Sequence, residues 1–174
     1  MKAILFCLAA FCAAFAQAQQ PAAAAADVAS ADSIIKSVYD VISGPAGQKR
    51  NWDRMRSLFT EDARMVAINR LASGEIKRRN LTVEDYIKLA GPSLEGGGFF
   101  EKEVARRTEQ FGNLVHIWST YESRIKADDA KPFARGINSY QLWNDGKRWW
   151  VLSIVWQGED PSNPLPEKYL KGGK

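Results

Sequence analysis

Residues 133–157 read FARGINSYQLWNDGKRWWVLSIVWQ, and this stretch decides the fold class. Two runs of aromatic and β-branched residues flank the turn sequence Asn144-Asp145-Gly146. Glycine accepts the positive φ that a tight hairpin turn requires, so the pattern predicts antiparallel strands at 133–143 and 148–157. Similar runs predict two further strands at 99–110 and 114–125.

Helical apolar spacing precedes these strands. It predicts a first helix over 34–42, a second after the N-cap Asn51, and a third over 83–89 after the N-cap Thr82. Gly91-Pro92 is expected to end the third helix. Short runs at 65–68 and 75–79 predict a hairpin between the second and third helices. Helices followed by an antiparallel sheet indicate the α+β class.

Three segments carry a resemblance to a known family: residues 51–63, 81–86 and 144–152. Together and in this order they resemble the nuclear transport factor 2-like superfamily, which includes ketosteroid isomerase-like and polyketide cyclase-like (SnoaL-like) proteins. The match covers about residues 30–158. The resemblance implies a cystatin-like cone, in which three N-terminal helices pack on a curved antiparallel sheet around an apolar pocket. It also implies a homodimer built on the outer face of the sheet.

The N-terminus has the pattern of a cleavable export signal. Lys2 precedes an apolar run, and Ala16-Gln17-Ala18 supplies small residues where signal peptidase reads them. We therefore predict a signal peptide at 1–18, cleaved after Ala18, and a periplasmic or secreted protein. The run is too short for a membrane anchor. Residues 19–29 are predicted to be a disordered Ala/Pro-rich lead-in, and 159–174 a Pro-containing tail.

Composition excludes several kinds of function. Both cysteines, Cys7 and Cys12, leave with the signal, so the mature chain has no thiol nucleophile and no disulfide. His116 is the only histidine, so we expect no metal site and no cofactor. The net charge of +4 is small, and acidic and basic residues are interspersed. We therefore expect no nucleic-acid partner, and no membrane association after cleavage.

The candidate catalytic residues are His116, Tyr121 and Glu122, because proton transfer beside a carbonyl needs an acid or base and a hydrogen-bond donor. Strand alternation groups His116 with Trp118 and Glu122, opposite Tyr121. The Tyr121 face is the more apolar one, so we predict that His116 lies on the outer face. Asp40 lies opposite the apolar stripe of the first helix, which favours a solvated carboxylate over a pocket base.

The candidate ligand-binding residues combine aromatic surface with one cation: Trp52, Tyr39, Arg135 and Trp156. Aromatic rings can stack on an apolar ligand, and arginine can pair with a carboxylate. Core packing is the competing use of the aromatic residues, and a cross-strand pair with Glu101, Glu103 or Glu122 is the competing use of Arg135.

Three functions remain open. The first is an exported domain that binds a small apolar or amphipathic molecule in the cone and forms a homodimer through the sheet. The second is an enzyme of the isomerase, cyclase or dehydratase class that moves a proton next to a carbonyl. The third is a protein-interaction module, because the last strand is apolar on both faces.

Overall fold

The computed structural model describes residues 20–171, so the predicted signal peptide at 1–18 lies outside the described residues. Within this range the chain begins with three α-helices and continues with six β-strands, and a fourth α-helix lies between the second and third strands. The helices are α1 (Ala25–Val28), α2 (Ala31–Ile42), α3 (Trp52–Leu58) and α4 (Val83–Gly97). The strands are β1 (Phe59–Arg70), β2 (Ile76–Leu81), β3 (Phe100–Phe111), β4 (Leu114–Arg124), β5 (Ala134–Asn144) and β6 (Trp149–Gly158). A 3-10 helix, Glu167–Tyr169, follows in the tail.

The six strands form one sheet in the order β2-β1-β6-β5-β4-β3. The predicted α+β class and the four long strands are confirmed. The prediction of an antiparallel sheet is wrong at one position, because β1 pairs with β6 in parallel. The long excursion through α4 and β3–β5 returns the chain to β1 in the same direction. Apolar periodicity carries no information about strand direction.

Irregular pairing bends the sheet around the helices. The register shifts between Glu103 and Ala105 in β3 and between Gln141 and Leu142 in β5. An extra residue in one strand increases its local bend and twist. The concave face packs against α2, α3 and α4, and the core between these layers includes fully buried Ile34, Ile35, Met55, Leu58, Phe59, Val115, Ile117, Tyr140, Leu142 and Val151.

Helix α4 continues past the position where the sequence predicted its end. Pro92 lies inside the helix, which extends to Gly97. Proline removes one intrahelical hydrogen bond, but tertiary contacts hold the last turns in place. Leu94 is buried in the core, and Glu95 Oε1 accepts hydrogen bonds from the backbone N–H of Arg50 and the indole of Trp52.

Arg50 fastens the connection between α2 and α3. Its buried guanidinium donates to the backbone carbonyls of Ile42, Gly44, Gln48 and Leu94 over 2.6–3.0 Å. One side chain thereby satisfies carbonyl groups at the end of α2, near the end of α4 and in the loop between α2 and α3. Burial lowers the pKa of this guanidinium below its ordinary value.

Part of the lead-in, for which we predicted disorder over 19–29, is helical among the described residues, which begin at residue 20. Residues 25–28 form α1, and Val28 is buried. Arg54 donates two hydrogen bonds to the carboxylate of Asp27 at 2.7 and 2.9 Å, and Ser37 donates a third at 3.0 Å. The Asp27 carboxylate therefore holds this segment, which contains no aromatic residue, against α2 and α3.

Candidate functional site

A cavity of about 350 Å³ opens between the concave face of the sheet and helices α2 and α4. Its wall is mostly apolar, with aliphatic side chains beside the rings of Tyr86, Phe99, Phe133 and Trp156. The polar lining side chains come from neighbouring strands: Glu101 from β3, Tyr121 and Ser123 from β4, and Asn138 and Tyr140 from β5. A ligand in this space would meet an apolar wall with one polar side.

Glu101 is the acidic side chain of this cavity. Its register partner Ser123 donates to Oε2 at 2.8 Å, and Asn138 Nδ2 donates to Oε1 at 3.3 Å. Desolvation raises the pKa of Glu101 to about 7, against the opposing effect of these two hydrogen bonds. No Lys or Arg within residues 20–171 forms an ion pair with it. The carboxyl group can therefore gain or lose a proton near neutral pH.

A buried hydrogen-bond chain holds the second donor hydrogen of Asn138. Asn138 Nδ2 donates to the hydroxyl of Tyr39 at 3.0 Å, and that hydroxyl lies 2.7 Å from Ser119 Oγ. Ser119 in turn donates to Glu103. Because Asn138 can only donate through Nδ2, Tyr39 is free to donate to Ser119. This hydrogen-bond chain fixes the orientation of the Asn138 amide, and the amide in turn positions the carboxyl group of Glu101.

Tyr121 supplies a neutral hydroxyl to the same cavity. Burial raises its pKa well above the ordinary value, with the nearby Glu101 charge as a further cause. Gly136 makes room for this hydroxyl, since a Cβ there would lie 2.6 Å from the Tyr121 oxygen. Tyr86 and Tyr140, also in the wall, have pKa values raised by burial in the same way. These phenols can donate hydrogen bonds but remain uncharged at neutral pH.

Of the three candidate catalytic residues, the structure brings only Tyr121 into the cavity. His116 lies on the outer face, as strand alternation predicted; its Nε2 is 3.1 Å from Ser139 Oγ and its Nδ1 is 3.5 Å from Glu109 Oε2. Glu122 also lies on the outer face, where it accepts a hydrogen bond from Arg124 at 2.8 Å. His116 and Glu122 therefore do not converge with Tyr121 on one site.

The candidate ligand-binding residues also separate. Trp156 lines the cavity and packs edge-on against Tyr86, with ring centroids 6.2 Å apart. Tyr39 does not line the cavity wall; its hydroxyl accepts a hydrogen bond from Asn138, which does line it. Trp52, the first residue of α3, does not line the cavity; its ring packs against Gly91 of α4 and its indole donates to Glu95 at 3.0 Å. Arg135 pairs with Glu159 at 2.6 Å, a partner that the sequence did not suggest.

Sequence reasoning missed Glu101, Ser123 and Asn138 as site residues. Glu101 entered only as a cross-strand partner for arginine, because its face depends on the irregular register of β3. The alternation of β4 does place Ser123 on the same face as Tyr121. This alternation within β4 could have identified Ser123 from the sequence. Identifying Glu101 also requires the pairing of β3 with β4, which the local sequence does not show.

No protein-family model matches the chain, and no curated protein matches it. Solved structures do. A protein of unknown function with a cystatin-like fold from Nostoc punctiforme PCC 73102 aligns with TM-score 0.54 and 12% identity, over 76% of this chain and 90% of that one. A nuclear transport factor 2-like protein of unknown function from Silicibacter pomeroyi DSS-3 aligns with TM-score 0.50 and 13% identity, over 75% and 94%.

LinA aligns with TM-score 0.51 and 10% identity, over 72% of this chain and 81% of that one. Identities this low establish the fold and nothing finer. The chain therefore has the nuclear transport factor 2-like, cystatin-like fold that the sequence resemblance implied.

Two further properties of residues 20–171 bear on function. None of their helices is long and apolar enough to span a membrane. No group of three or more His, Cys, Asp or Glu side chains among them is arranged to hold a metal ion.

Proposed function

We propose that this protein binds a small, largely apolar molecule in the cone, and that Glu101 anchors the polar group of that molecule. The observation that carries the proposal is a single carboxyl group on the wall of a mostly apolar cavity, with no Lys or Arg partner among residues 20–171. A volume of about 350 Å³ is in the range of small-molecule sites. A hydroxyl or amide of the ligand would donate to Glu101 and replace the hydration that burial removes.

Proton transfer next to a carbonyl is the second candidate function, and the pKa of Glu101 near 7 favours it. In this reaction the Glu101 carboxylate takes a proton from the carbon beside the carbonyl. The electrons of that C–H bond form the enolate, whose oxygen accepts a hydrogen bond from a neutral phenol such as Tyr121. Glu101 then returns the proton to carbon, which regenerates the carboxylate.

Calorimetry with β-naphthol and naphthalene tests the binding function. The two probes share a ring system, and only β-naphthol has a hydroxyl that can donate to Glu101. We expect β-naphthol to bind more tightly than naphthalene, and Glu101→Leu to weaken β-naphthol by about tenfold or more. The matched control is Glu109→Gln, which changes an exposed carboxylate on the outer face. If neither β-naphthol nor naphthalene binds at its solubility limit, the proposal is contradicted.

Deuterium exchange into β-tetralone in deuterium oxide tests proton transfer. The rate should rise with the ionised fraction of Glu101, with an apparent pKa near 7. Glu101→Gln keeps the shape of the side chain but cannot accept the proton, so exchange should fall to the buffer rate. Exchange that survives this substitution would rule out Glu101 as the base, while the binding function would stand on its own measurement.

We extend the proposal to quaternary structure: two copies pair through the outer face. Four apolar side chains form a cross-strand row at one end of this face, Phe111, Leu114, Trp143 and Trp150. Phe111 is 89% exposed, which is unusual for an unpartnered phenylalanine. Sedimentation should show a dimer that Trp143→Ser dissociates and that Leu89→Ser, an exposed leucine on α4, does not. A monomer at micromolar concentration would contradict this part.

The proposal also includes export of the chain across the inner membrane. The chain should reach the periplasm of a bacterial host and begin at Gln19 after cleavage. Intact mass of the periplasmic protein would identify this terminus. Ala18→Phe places a bulky side chain at the cleavage position and should leave the precursor uncut.

A further inference from the structure

Glu103 lies at the outer end of the buried hydrogen-bond chain that reaches the cavity. The bulge in β3 adds one residue between Glu103 and Arg106, so both pair with inner-face residues of β4, Tyr121 and Ser119. Arg106 Nε donates to Glu103 Oε1 at 2.8 Å, and its Nη1 donates to the exposed Asp32 of α2. Because the Glu103 side chain is 22% exposed, the hydrogen-bond chain comes within reach of solvent at this pair.

The donors and acceptors along this hydrogen-bond chain follow by elimination. The Glu103 carboxylate has no hydrogen, so the hydroxyl of Ser119 must donate to its Oε2. This uses the only hydrogen of Ser119, so the Tyr39 hydroxyl, 2.7 Å away, must donate to Ser119. Tyr39 can then only accept at its other contact. The Asn138 atom that lies 3.0 Å from Tyr39 must therefore be Nδ2.

Burial keeps this assignment from being changed by solvent. The side chains between the two carboxyl groups, Tyr39, Ser119 and Asn138, are 5%, 0% and 4% exposed. The remaining hydrogen of Asn138 Nδ2 is directed at Glu101 Oε1, 3.3 Å away. The carboxylate at one end of the hydrogen-bond chain thus decides which atom of the amide faces the carboxyl group at the other end.

We propose that Glu103 is a positioning residue of the cavity, because its carboxylate makes Asn138 present an N–H, instead of its carbonyl oxygen, to Glu101. Glu103 itself does not line the cavity. An N–H at this place stabilises the ionised form of Glu101, which is the form that accepts a hydrogen bond from a ligand hydroxyl. The inference rests on the function proposed for Glu101 and extends it to a residue outside the cavity.

Arg106 makes Glu103→Gln a test of direction. The guanidinium can only donate, so the oxygen of the introduced amide must face Arg106 and its NH2 group must face Ser119. Each hydroxyl of the hydrogen-bond chain then donates in the opposite direction. The Asn138 amide turns, and its Oδ1 faces Glu101. A carboxylate meets this oxygen unfavourably, whereas a protonated carboxyl group can donate to it.

The other titratable side chains around Glu101 do not obscure its titration. They are phenols from four elements, Tyr39 of α2, Tyr86 of α4, Tyr121 of β4 and Tyr140 of β5. Burial raises the pKa of each phenol above its ordinary value, so all four stay neutral where Glu101 titrates. The chemical shift of the Glu101 carboxyl carbon in isotope-labelled protein follows this titration directly.

Glu103→Gln should raise the pKa of Glu101 by about 1 or more, because the donor facing its carboxylate is replaced by an acceptor. Removal of a nearby negative charge without reversal would instead lower that pKa or leave it unchanged. The two explanations predict opposite directions, so a lowered or unchanged pKa would overturn the inference. Glu109→Gln removes the same charge from an exposed position in β3 and should leave the Glu101 titration unaltered.

A measurement on the unmodified protein does not depend on the folding of a variant. The side-chain amide signals of Asn138 should shift together with the Glu101 titration, since Nδ2 donates to that carboxyl group. Amide signals that stay constant through the titration would overturn the inference. The ligand experiment fails separately: absence of β-naphthol binding contradicts the proposed function and leaves both titrations as they are. Binding of β-naphthol together with an unaltered titration in Glu103→Gln would remove only the positioning role.

Discussion

Ser123 Oγ donates a 2.8 Å hydrogen bond to Glu101 Oε2, and the two residues are register partners across β3 and β4. This bond holds a carboxyl group on the wall of an apolar cavity, where desolvation raises its pKa to about 7. The hydrogen bond favours the ionised form, whereas burial favours the protonated form. Burial has the larger effect, so Glu101 changes charge near neutral pH.

The free energy of unfolding should therefore depend on the charge of Glu101. The folded-state pKa lies above the unfolded value of 4.5, so between these values the folded state binds more protons. Stability falls as pH rises through this window, by at most about 3 kcal/mol in total. Urea unfolding at about pH 5 and pH 8, compared between the native chain and Glu101→Gln, isolates this contribution.

Glu101→Gln should flatten the decline, and Asp128→Asn should not, because Asp128 is exposed in the loop between β4 and β5. Asp27 and Glu159, which pair with Arg54 and Arg135, have pKa values below the ordinary value, so they titrate below this window and do not obscure it. An unchanged pH profile in Glu101→Gln would show that this group stays ionised in the folded state.

Gly136 should tolerate no larger side chain. A Cβ there would lie 2.3 Å from the carbonyl of Gln157 and 2.6 Å from the Tyr121 hydroxyl. The carbonyl belongs to the neighbouring strand and cannot move away without breaking the β5–β6 ladder. We expect Gly136→Ala to destabilise the protein by several kcal/mol, roughly 2–4, as overpacking of a rigid site does. Gly97→Ala meets no neighbour within 4 Å and should leave the melting temperature nearly unchanged.

Strand register explains why the sequence predicts most of the fold but not the site. Counted back from the Gly112-Asn113 turn, an unbroken β3–β4 ladder would place Lys102 opposite Ser123. The bulge before Ala105 shifts the pairing by one residue and brings Glu101 there instead. A shift of one residue exchanges the two faces of a strand, so the bulge turns Glu101 inward.

Short sequence motifs were sufficient to predict turns and helix starts, because these features depend on residues close together in the sequence. The Asn144-Asp145-Gly146 turn and the N-caps Asn51 and Thr82 lie where the sequence predicted them. Features that depend on distant partners could not be read in the same way. The parallel β1–β6 pair, the course of α4 beyond Pro92 and the anchoring of Asp27 by Arg54 all require contacts between segments far apart in sequence.

The Asp27–Arg54 pair should be the main anchor of the N-terminal segment. Asp27 accepts bonds from Arg54 and Ser37, and the Arg54 hydrogen bond keeps the pKa of Asp27 below its ordinary value. We expect Asp27→Ala to lower the free energy of unfolding by about 1–3 kcal/mol at neutral pH. Because the pKa is lowered, this contribution is present above the unfolded value of 3.8 and is lost as pH falls below it.

Asp40→Ala is the matched control for Asp27→Ala. Asp40 lies 4.0 Å from Arg54 and is 43% exposed, so its removal should cost less than about 0.5 kcal/mol. Limited proteolysis provides a second measurement, since loss of the anchor should expose the peptide bonds of residues 20–29. Equal stability of the two variants would show that the burial of Val28, rather than the ion pair, holds this segment.

The capping box at the start of α4 should stabilise one wall of the Glu101 cavity. Thr82 Oγ1 accepts from the Asp85 backbone N–H at 3.1 Å, and the Asp85 carboxylate accepts from the Thr82 N–H at 3.0 Å. Thr82→Ala leaves the first N–H unpaired and should lower the free energy of unfolding by about 1 kcal/mol. Hydrogen exchange should quicken in the first turns of α4, which carry Tyr86 of the cavity wall. Ser93→Ala, at an exposed site in the same helix, should lower neither stability nor protection, because alanine has the higher helix propensity, and a comparable loss there would mean that the effect of Thr82→Ala is not specific to the cap.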